Sequence, residues 1–513
     1  METTTHDEVR SIETRSGLDP WSLADLPKPR MARGLDLLGV IGPGAILLGL
    51  AIGSGEWLLG PAAFVQYGVA VLWVTTVAIV LQTVFNTELL RYTMYTGEPI
   101  FTGFMRTRPG PNFWAGFYTI LYILQVGWPA WAGTAASAIF YLFLGRLPIA
   151  ANADTVYWIG VGTFLLSVAF LLFGRRIERS LESLNWILLA FILGGLTLLC
   201  ILFASPSHWL ATLTGFVGFD LSTRSFNLIP PGADWFLLGA FAAYSGAGGV
   251  TNLMLSNWAR DSGLGMGRVV GFIPAAIGGQ KVKLAHVGSI FKITSENLQT
   301  WKEWWRIVQV DQWIVFGVGS MLGMGLPALL YTAVIARGSD IRGLAIAGEL
   351  ANAMAERGGV ALTFIVAMIG AWILFKTQLD ILEGTVRSIT DILWAASPRV
   401  RRWWGGDVRV IYYSVLAIFV VWGLIALRLT QPIILLELGA NVAGVAFVVA
   451  GLHVLYVNTT LLPKELQPPM WRRVCLVLLS LFYGLFVYLW LMGGFVPDPS
   501  KGFLFILPNQ LGR

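Results

Sequence analysis

The sequence predicts an all-α membrane protein, with eleven transmembrane helices arranged as two inverted five-helix halves plus one extra helix. Three observations predict it. The chain has 513 residues, of which 56% are hydrophobic and only 12% charged, with mean hydropathy +0.69; soluble proteins carry about 25% charged residues. Eleven stretches reach the length of apolar sequence that a bilayer crossing needs, about 20 residues. The first and sixth of these are interrupted near their middles by Gly53-Ser54-Gly55 and Ser245-Gly246-Ala247-Gly248-Gly249.

In chain order, residues 1–36 are polar, of mixed charge, and contain Pro20, Pro27 and Pro29. They lack the basic, apolar, small-residue order of a cleavable signal and are expected to form a mobile cytoplasmic tail. Spans at 37–66, 70–94, 112–144, 153–173 and 182–204 make the first half, residues 37–204. Residues 205–232 form an extracytoplasmic loop. Spans at 233–259, 311–336, 359–392, 408–427 and 432–457 make the second half, residues 233–457, with a cytoplasmic insertion at 260–310. A last span at 471–494 lies within the closing segment 458–513. In the insertion, 268–293 alternate weakly about Gly278-Gly279, which suggests a hairpin. Ser295-Glu296 then open a helix with Trp301, Trp304 and Trp305 beside Lys302 and Arg306. That mixture suits a helix at the membrane surface, or an ordered anchor for the loop.

Lysine and arginine set the orientation. With the N-terminus inside, the cytoplasmic side holds 25 of them and the outer side 8. The chain is thus expected in the plasma (inner) membrane, N-terminus cytoplasmic and C-terminus outside. The net charge of +6 follows from this loop placement and does not indicate nucleic-acid binding. Cys200 and Cys475 lie far apart in apolar segments and read as packed residues. No C-x-x-C or histidine cluster suggests zinc. No cofactor is expected. The lipid bilayer and a small ion are the partners, with the monomer as functional unit.

An odd number of helices per half makes the second half enter from the opposite side, the arithmetic of an inverted repeat. Lipid offers the backbone no hydrogen-bond partner, so unwound chain at mid-membrane is tolerated only where it lines a cavity. Paired interruptions in corresponding halves point to a transporter's binding site. Gly-Ser-Gly can also be a face for close helix packing.

Residues 42–57, Gly-Pro-Gly-Ala-Ile-Leu-Leu-Gly-Leu-Ala-Ile-Gly-Ser-Gly-Glu-Trp, resemble the first span of the natural-resistance-associated macrophage protein (Nramp) family of metal-ion transporters. That span opens with Gly-Pro-Gly and carries Asp-Pro-Gly-Asn, often followed by Trp. Arg91 with Thr96-Gly97, Thr251-Asn252-Leu253, and Gln378 with Glu383-Gly384 extend the similarity. The resemblance implies a LeuT-type fold, within the amino acid–polyamine–organocation superfamily, and secondary active transport. The departures bear on substrate. Gly53 stands where the family has its metal-binding aspartate, Ser54 where it has proline, and Glu56 where it has asparagine. Gly249-Val250-Thr251 replace Met-Pro-His, so the soft thioether that favours transition metals is missing. Residues 112–145 contain no Asp or Glu, whereas the family's third span carries acidic residues for proton passage.

A carboxylate inside a span is a functional candidate by default. Glu56 is expected either to ligate a hard cation or to carry a proton; complementing the dipole of a half-helix is the plain structural alternative. The substrate-binding candidates are Gly53, Ser54, Gly55, Glu56, Ser245, Gly246, Gly248, Gly249, Thr251 and Asn252, with Glu56 as metal ligand. Oxygen-only coordination suits a Mg²⁺-like ion better than manganese or iron. Alternatively, the glycine-rich N–H groups attract a small anion such as bicarbonate, or an amino acid; Ile52-Gly53-Ser54-Gly55 also resembles the first-span signature of the amino-acid permeases. Lys376, Asp380, Glu383, Arg387 and Asp391 share one helical face at alternating sign. They read as a self-neutralising ladder facing an inner vestibule, or as a proton or ion path through Glu56, Asp380 and Glu383. Glu88 and Arg91 are expected to pair, and His286 and His453 to be structural. No nucleophile–base pair suggests an enzyme.

Overall fold

The computed structural model describes residues 17–29, 43–172, 177–273, 284–339, 341–429 and 431–495. The expected Gly278-Gly279 turn, most of the N-terminal tail, Gly42 and the chain after 495 lie outside the described residues. Helices dominate: α1 (Pro43–Tyr67), α2 (Leu72–Thr96), α3 (Pro111–Val126), α4 (Ala130–Leu144), α5 (Ala153–Leu172), α6 (Ile177–Phe203), α7 (Trp235–Ala243), α8 (Val250–Ser262), α9 (Ser295–Val334), α10 (Glu349–Ala396), α11 (Val408–Ala426), α12 (Pro432–Thr460) and α13 (Met470–Phe495). Among the described residues nine helices are long and apolar enough to cross a membrane. The third and sixth expected spans each occur as two shorter helices, α3–α4 and α7–α8, which separates nine from eleven.

Two local features differ from expectation, each for a backbone reason. Residues 112–144, read as one uninterrupted span, break at Gly127-Trp128-Pro129. Proline lacks an N–H and disfavours α-helical geometry in the residue before it. The broken first span is milder than expected. The α-helix ends at Ala51, a turn at Ile52-Gly53 interrupts α1, and the chain resumes through a π-helical turn at Gly55–Leu59 before α-helix returns at Gly60. The Gly53 N–H donates to Glu56 Oε2 at 3.0 Å, Trp57 N–H reaches Gly53 C=O, and Gly60 N–H then reaches back five residues to Gly55 C=O. One residue is absorbed as a bulge, a form that recurs where helices serve a site. The sixth span is opened as expected, with Gly246, Gly248 and Gly249 at φ 106°, 89° and 66°. Only glycine enters that region at little cost.

The N-terminal segment also corrects an expectation. Residues 17–29 are docked, not mobile. Ser22–Leu23 (β1) pairs in parallel with Ser289–Ile290 of the insertion. Trp21 is buried, edge-on to Tyr95 and beneath the Arg106 guanidinium. The Trp304 indole donates to Pro27 C=O at 2.7 Å. Thr294 rather than Ser295 caps the start of α9, accepting from Asn297 N–H. Its tryptophans pack inward: Trp301 and Trp304 are buried, and Trp305 lies under Arg91 and Arg472. The loop at 205–232 contains a short helix, Pro206–Gly215, and a hairpin of Phe219–Asp220 (β2) with Ser225–Phe226 (β3).

The helices sort by burial. The apolar window of α1 is wholly enclosed, whereas only about a third of those of α6, α11 and α13 is buried. Leu198, Ile201, Ile418, Val421 and Leu481 face outward, as lipid contact requires. The bundle therefore wraps α1, α7–α8 and α10, where the candidate residues lie.

Candidate functional site

The two glycine-rich segments meet. A Cβ on Gly55 would stand 1.8 Å from the Tyr244 carbonyl oxygen, so α1 passes the α7–α8 break with bare backbone against bare backbone. Glu56 lies at this crossing and is wholly buried. Its Oε2 accepts from Gly53, the Gly246 backbone faces the same carboxylate, and Oε1 has no hydrogen-bond partner among the described residues.

The opened chain of the sixth span owes its shape to two glutamines. On α2, Gln82 Nε2 donates to Ser245 C=O at 2.8 Å and its Oε1 accepts from Ala247 N–H at 3.0 Å. On α3, Gln125 Nε2 donates to Gly248 C=O at 2.6 Å and its Oε1 accepts from Val250 N–H at 2.9 Å. Each side-chain amide thus replaces the peptide partner that helix would have supplied and that lipid cannot. A third glutamine does likewise at the other break: Gln378 Oε1, on α10, accepts from Ala132 N–H in the first turn of α4 at 3.1 Å. Sequence reasoning missed Gln82 and Gln125. The available signal was an amide side chain within an apolar span, which is expensive unless it has a partner.

A cavity of about 10 Å³, room for on the order of one water molecule, opens beside the crossing. Ser54, Gly55, Gly246 and Thr251 line it, closed over by Trp131 and Tyr244. The Trp131 indole donates to Ser54 Oγ at 2.9 Å, and Thr251 Oγ1 donates to the Ala247 and Gly248 carbonyls. Ser245 bonds to Phe241 C=O and Thr75, and Gly249 packs on Gln125 and Ala443. Asn252 turns away to α2, donating to Gln82 and Asn86. Glu56 stands behind the cavity wall, between the two segments.

The charged face of α10 is not an open vestibule. Lys376, Asp380, Glu383, Arg387 and Asp391 are all buried. Lys376 Nζ is 3.6 Å from Asp380 Oδ2, and Arg387 pairs with Glu383 along the helix. Across to α8, Arg387 pairs with Asp261, Arg260 with Asp391 at 2.6 Å, and the Trp258 indole donates to Glu383. Asp380 also accepts from Asn185 of α6 at 3.1 Å. Asp380 therefore ties α10 to α6, and Glu383 belongs to a separate network with α8. Glu88 and Arg91 do pair, at 2.7 Å, and share that site with Arg472 and Asn458. His453 is bracketed by Thr107 and Tyr118 and stacked on Phe104, and His286 meets Asp19. Among the described residues no three His, Cys, Asp or Glu side chains converge as a metal cage.

The fold is that of a known transporter. The chain matches the manganese transporter of Eremococcus coleocola in complex with an aromatic bis-isothiourea substituted compound, with TM-score 0.60 at 16% identity, covering 96% of each chain. A glutamate-to-alanine mutant of that transporter matches with TM-score 0.64 at 15% identity, over 94% of this chain and 93% of the other. A histidine-to-alanine mutant gives TM-score 0.63 at 15% identity, over the same shares. No protein-family model matches the chain, and no curated protein matches it in sequence. The expected LeuT-type architecture of a multi-pass membrane protein is thus borne out.

Proposed function

We propose that this protein is a secondary active transporter that carries a small cation by alternating access. The observation that carries this is the Glu56 carboxylate, buried where α1 crosses the opened sixth span, with Oε1 unpartnered among the described residues and its chain neighbour Gly55 lining a cavity of single-ion size. It supports a cation because a buried, unsatisfied acceptor is costly until something fills it. The structural neighbours, named as manganese transporters, support the same class. Around the crossing the donors are oxygens: the Glu56 carboxylate, the Ser54 and Thr251 hydroxyls and the main-chain carbonyls of the break. No sulfur lines the cavity. Such a set favours a hard, Mg²⁺-like ion over manganese or iron. Glu56 also takes the coupling proton in this scheme, with Asp380 next on its way through the bundle. The lysine and arginine bias supports a cytoplasmic side for the docked segment 17–29.

An anionic substrate is the weaker reading. The backbone donors that would hold it are engaged: Gly53 by Glu56, Ala247 by Gln82 and Val250 by Gln125. The test is uptake into proteoliposomes of Mg²⁺ and Mn²⁺, against bicarbonate and amino acids, with internal pH followed. Cation uptake that Glu56→Gln abolishes is the expected result. Uptake of an anion alone, or cation uptake indifferent to Glu56→Gln, would overturn the proposal.

A further inference from the structure

We propose that Lys376 is a tethered cation, its ammonium filling an oxygen-lined site between α1, α6 and α10 that would otherwise take a small monovalent ion. Three fully buried polar atoms converge there without hydrogen-bond partners among the described residues: Lys376 Nζ, Asp380 Oδ2 and Asn185 Oδ1. The ammonium is 3.6 Å from Asp380 Oδ2. The Asn185 amide spends its N–H on Asp380 Oδ1. Its oxygen therefore points at α1. Gly49 closes the site there: a Cβ at this position would fall 2.0 Å from Asn185 Oδ1 and 2.8 Å from Lys376 Nζ.

Two open oxygen acceptors, one of them from a carboxylate, form the donor set of a hard cation. A cation in such a place is held by charge and not by hydrogen bonds, and Lys376 matches that description. The charged groups facing Lys376 are Asp380 on its own helix and Glu56 on α1, while α6 contributes the neutral Asn185. The ammonium balances Asp380 and leaves Glu56 as the one net negative charge for a substrate. A transporter built this way needs no dissolved Na⁺ or K⁺ to tie α1 to α10, because the covalent chain supplies that ion. The role in transport rests on the function proposed above; the ion site itself does not.

The test uses the purified full-length protein at constant ionic strength in Na⁺, Li⁺, K⁺, methylammonium or choline. Wild type is expected to melt at one temperature in all five. Lys376→Ala is expected to melt lower in choline and to regain several degrees, saturably, with Na⁺ or methylammonium. Lys376→Met, which fills the space without charge, is expected to regain nothing. A Na⁺-dependent wild type, an alanine variant indifferent to every small cation, or alanine and methionine variants responding alike would each overturn the proposal. Should Lys376→Ala not fold, the pair decides. Lys376→Met/Asp380→Asn more stable than Asp380→Asn alone supports it, and simple addition of the two losses overturns it. In proteoliposomes, equal Mg²⁺ uptake by wild type in Na⁺ and in choline is expected, and a several-fold dependence on Na⁺ is the contrary result. If no cation is taken up at all, the transport reading fails while the melting series still decides the ion site.

Discussion

Replacing Gln125 with leucine tests whether side-chain amides hold the sixth span open. The substitution keeps the size of the side chain and removes both hydrogen bonds. Val250 N–H would lose its partner in a wholly buried place, at a cost of about 1–3 kcal/mol. Gly248 C=O would lose the 2.6 Å bond from Nε2 but keep the Thr251 hydroxyl, so only the net worth of one bond goes, about 0.5–1.5 kcal/mol. The expected loss is about 2–4 kcal/mol, a large share of the stability of a typical domain. Gln66→Leu, at an exposed position, is the control and should stay within about 0.5 kcal/mol. The assays are thermal unfolding in detergent and amide hydrogen exchange at 246–250. Gln125→Leu should melt several degrees below Gln66→Leu and exchange faster in that stretch. If the two melt together and exchange alike, the glutamine does not hold the break.

Gly55→Ala should be among the most damaging alanine substitutions in the chain, because the new methyl meets the Tyr244 carbonyl; Gly116→Ala, with open space around it, should be nearly silent in the same melting assay. Burial pushes the Glu98 carboxyl up, but the Arg106 guanidinium at 2.6 Å, the Tyr92 hydroxyl and the Gly288 N–H hold it below its ordinary value of 4.5. Its contribution to stability is therefore complete above about pH 4.5 and lost as pH falls through the lower folded value, so Glu98→Gln should flatten the acid limb of a stability-against-pH curve. Trp21→Ala removes the ring that meets Arg106 and Tyr95. It should speed proteolysis within residues 17–29 and leave the melting of the helices unchanged, since local opening is distinct from global unfolding. A drop in the global melting temperature without new cleavage there would contradict the docking described above.

The spans were legible because hydropathy sums over about 20 residues, and all eleven segments end within a few residues of the helices found, although 311–336 and 359–392 begin well inside α9 and α10, whose first turns are too polar to count as span. The opened sixth span was legible from Ser245 to Gly249, because three positive-φ positions need glycine. The break at Gly127-Trp128-Pro129 was missed because its flanks are equally apolar, so hydropathy runs through it. The π-turn in α1 was missed for a different reason: a one-residue slip in hydrogen-bond register leaves composition untouched. Docking of residues 17–29 depends on a two-residue parallel strand and one buried tryptophan, too short to show a period. The glutamine partners were invisible because a side chain that completes a distant peptide leaves no local pattern. Lys376 was visible as part of a charged face, and the pairing along α10 that the face predicted is there, but Arg387 and Asp391 also pair with α8 and Asp380 leans on α6.

The order of the glutamines along the chain sets an order of assembly. Gln82 and Gln125 are synthesised before residues 245–250, so when the ribosome delivers the sixth span its naked peptides find caps already in the bilayer. Gln378 comes long after Ala132, so the α3–α4 kink must enter the membrane with a peptide proton unclaimed until α10 arrives. Biogenesis thus has an early half that can close on itself and one joint left waiting. A chain truncated before α10 should be degraded sooner than its count of hydrophobic segments alone implies.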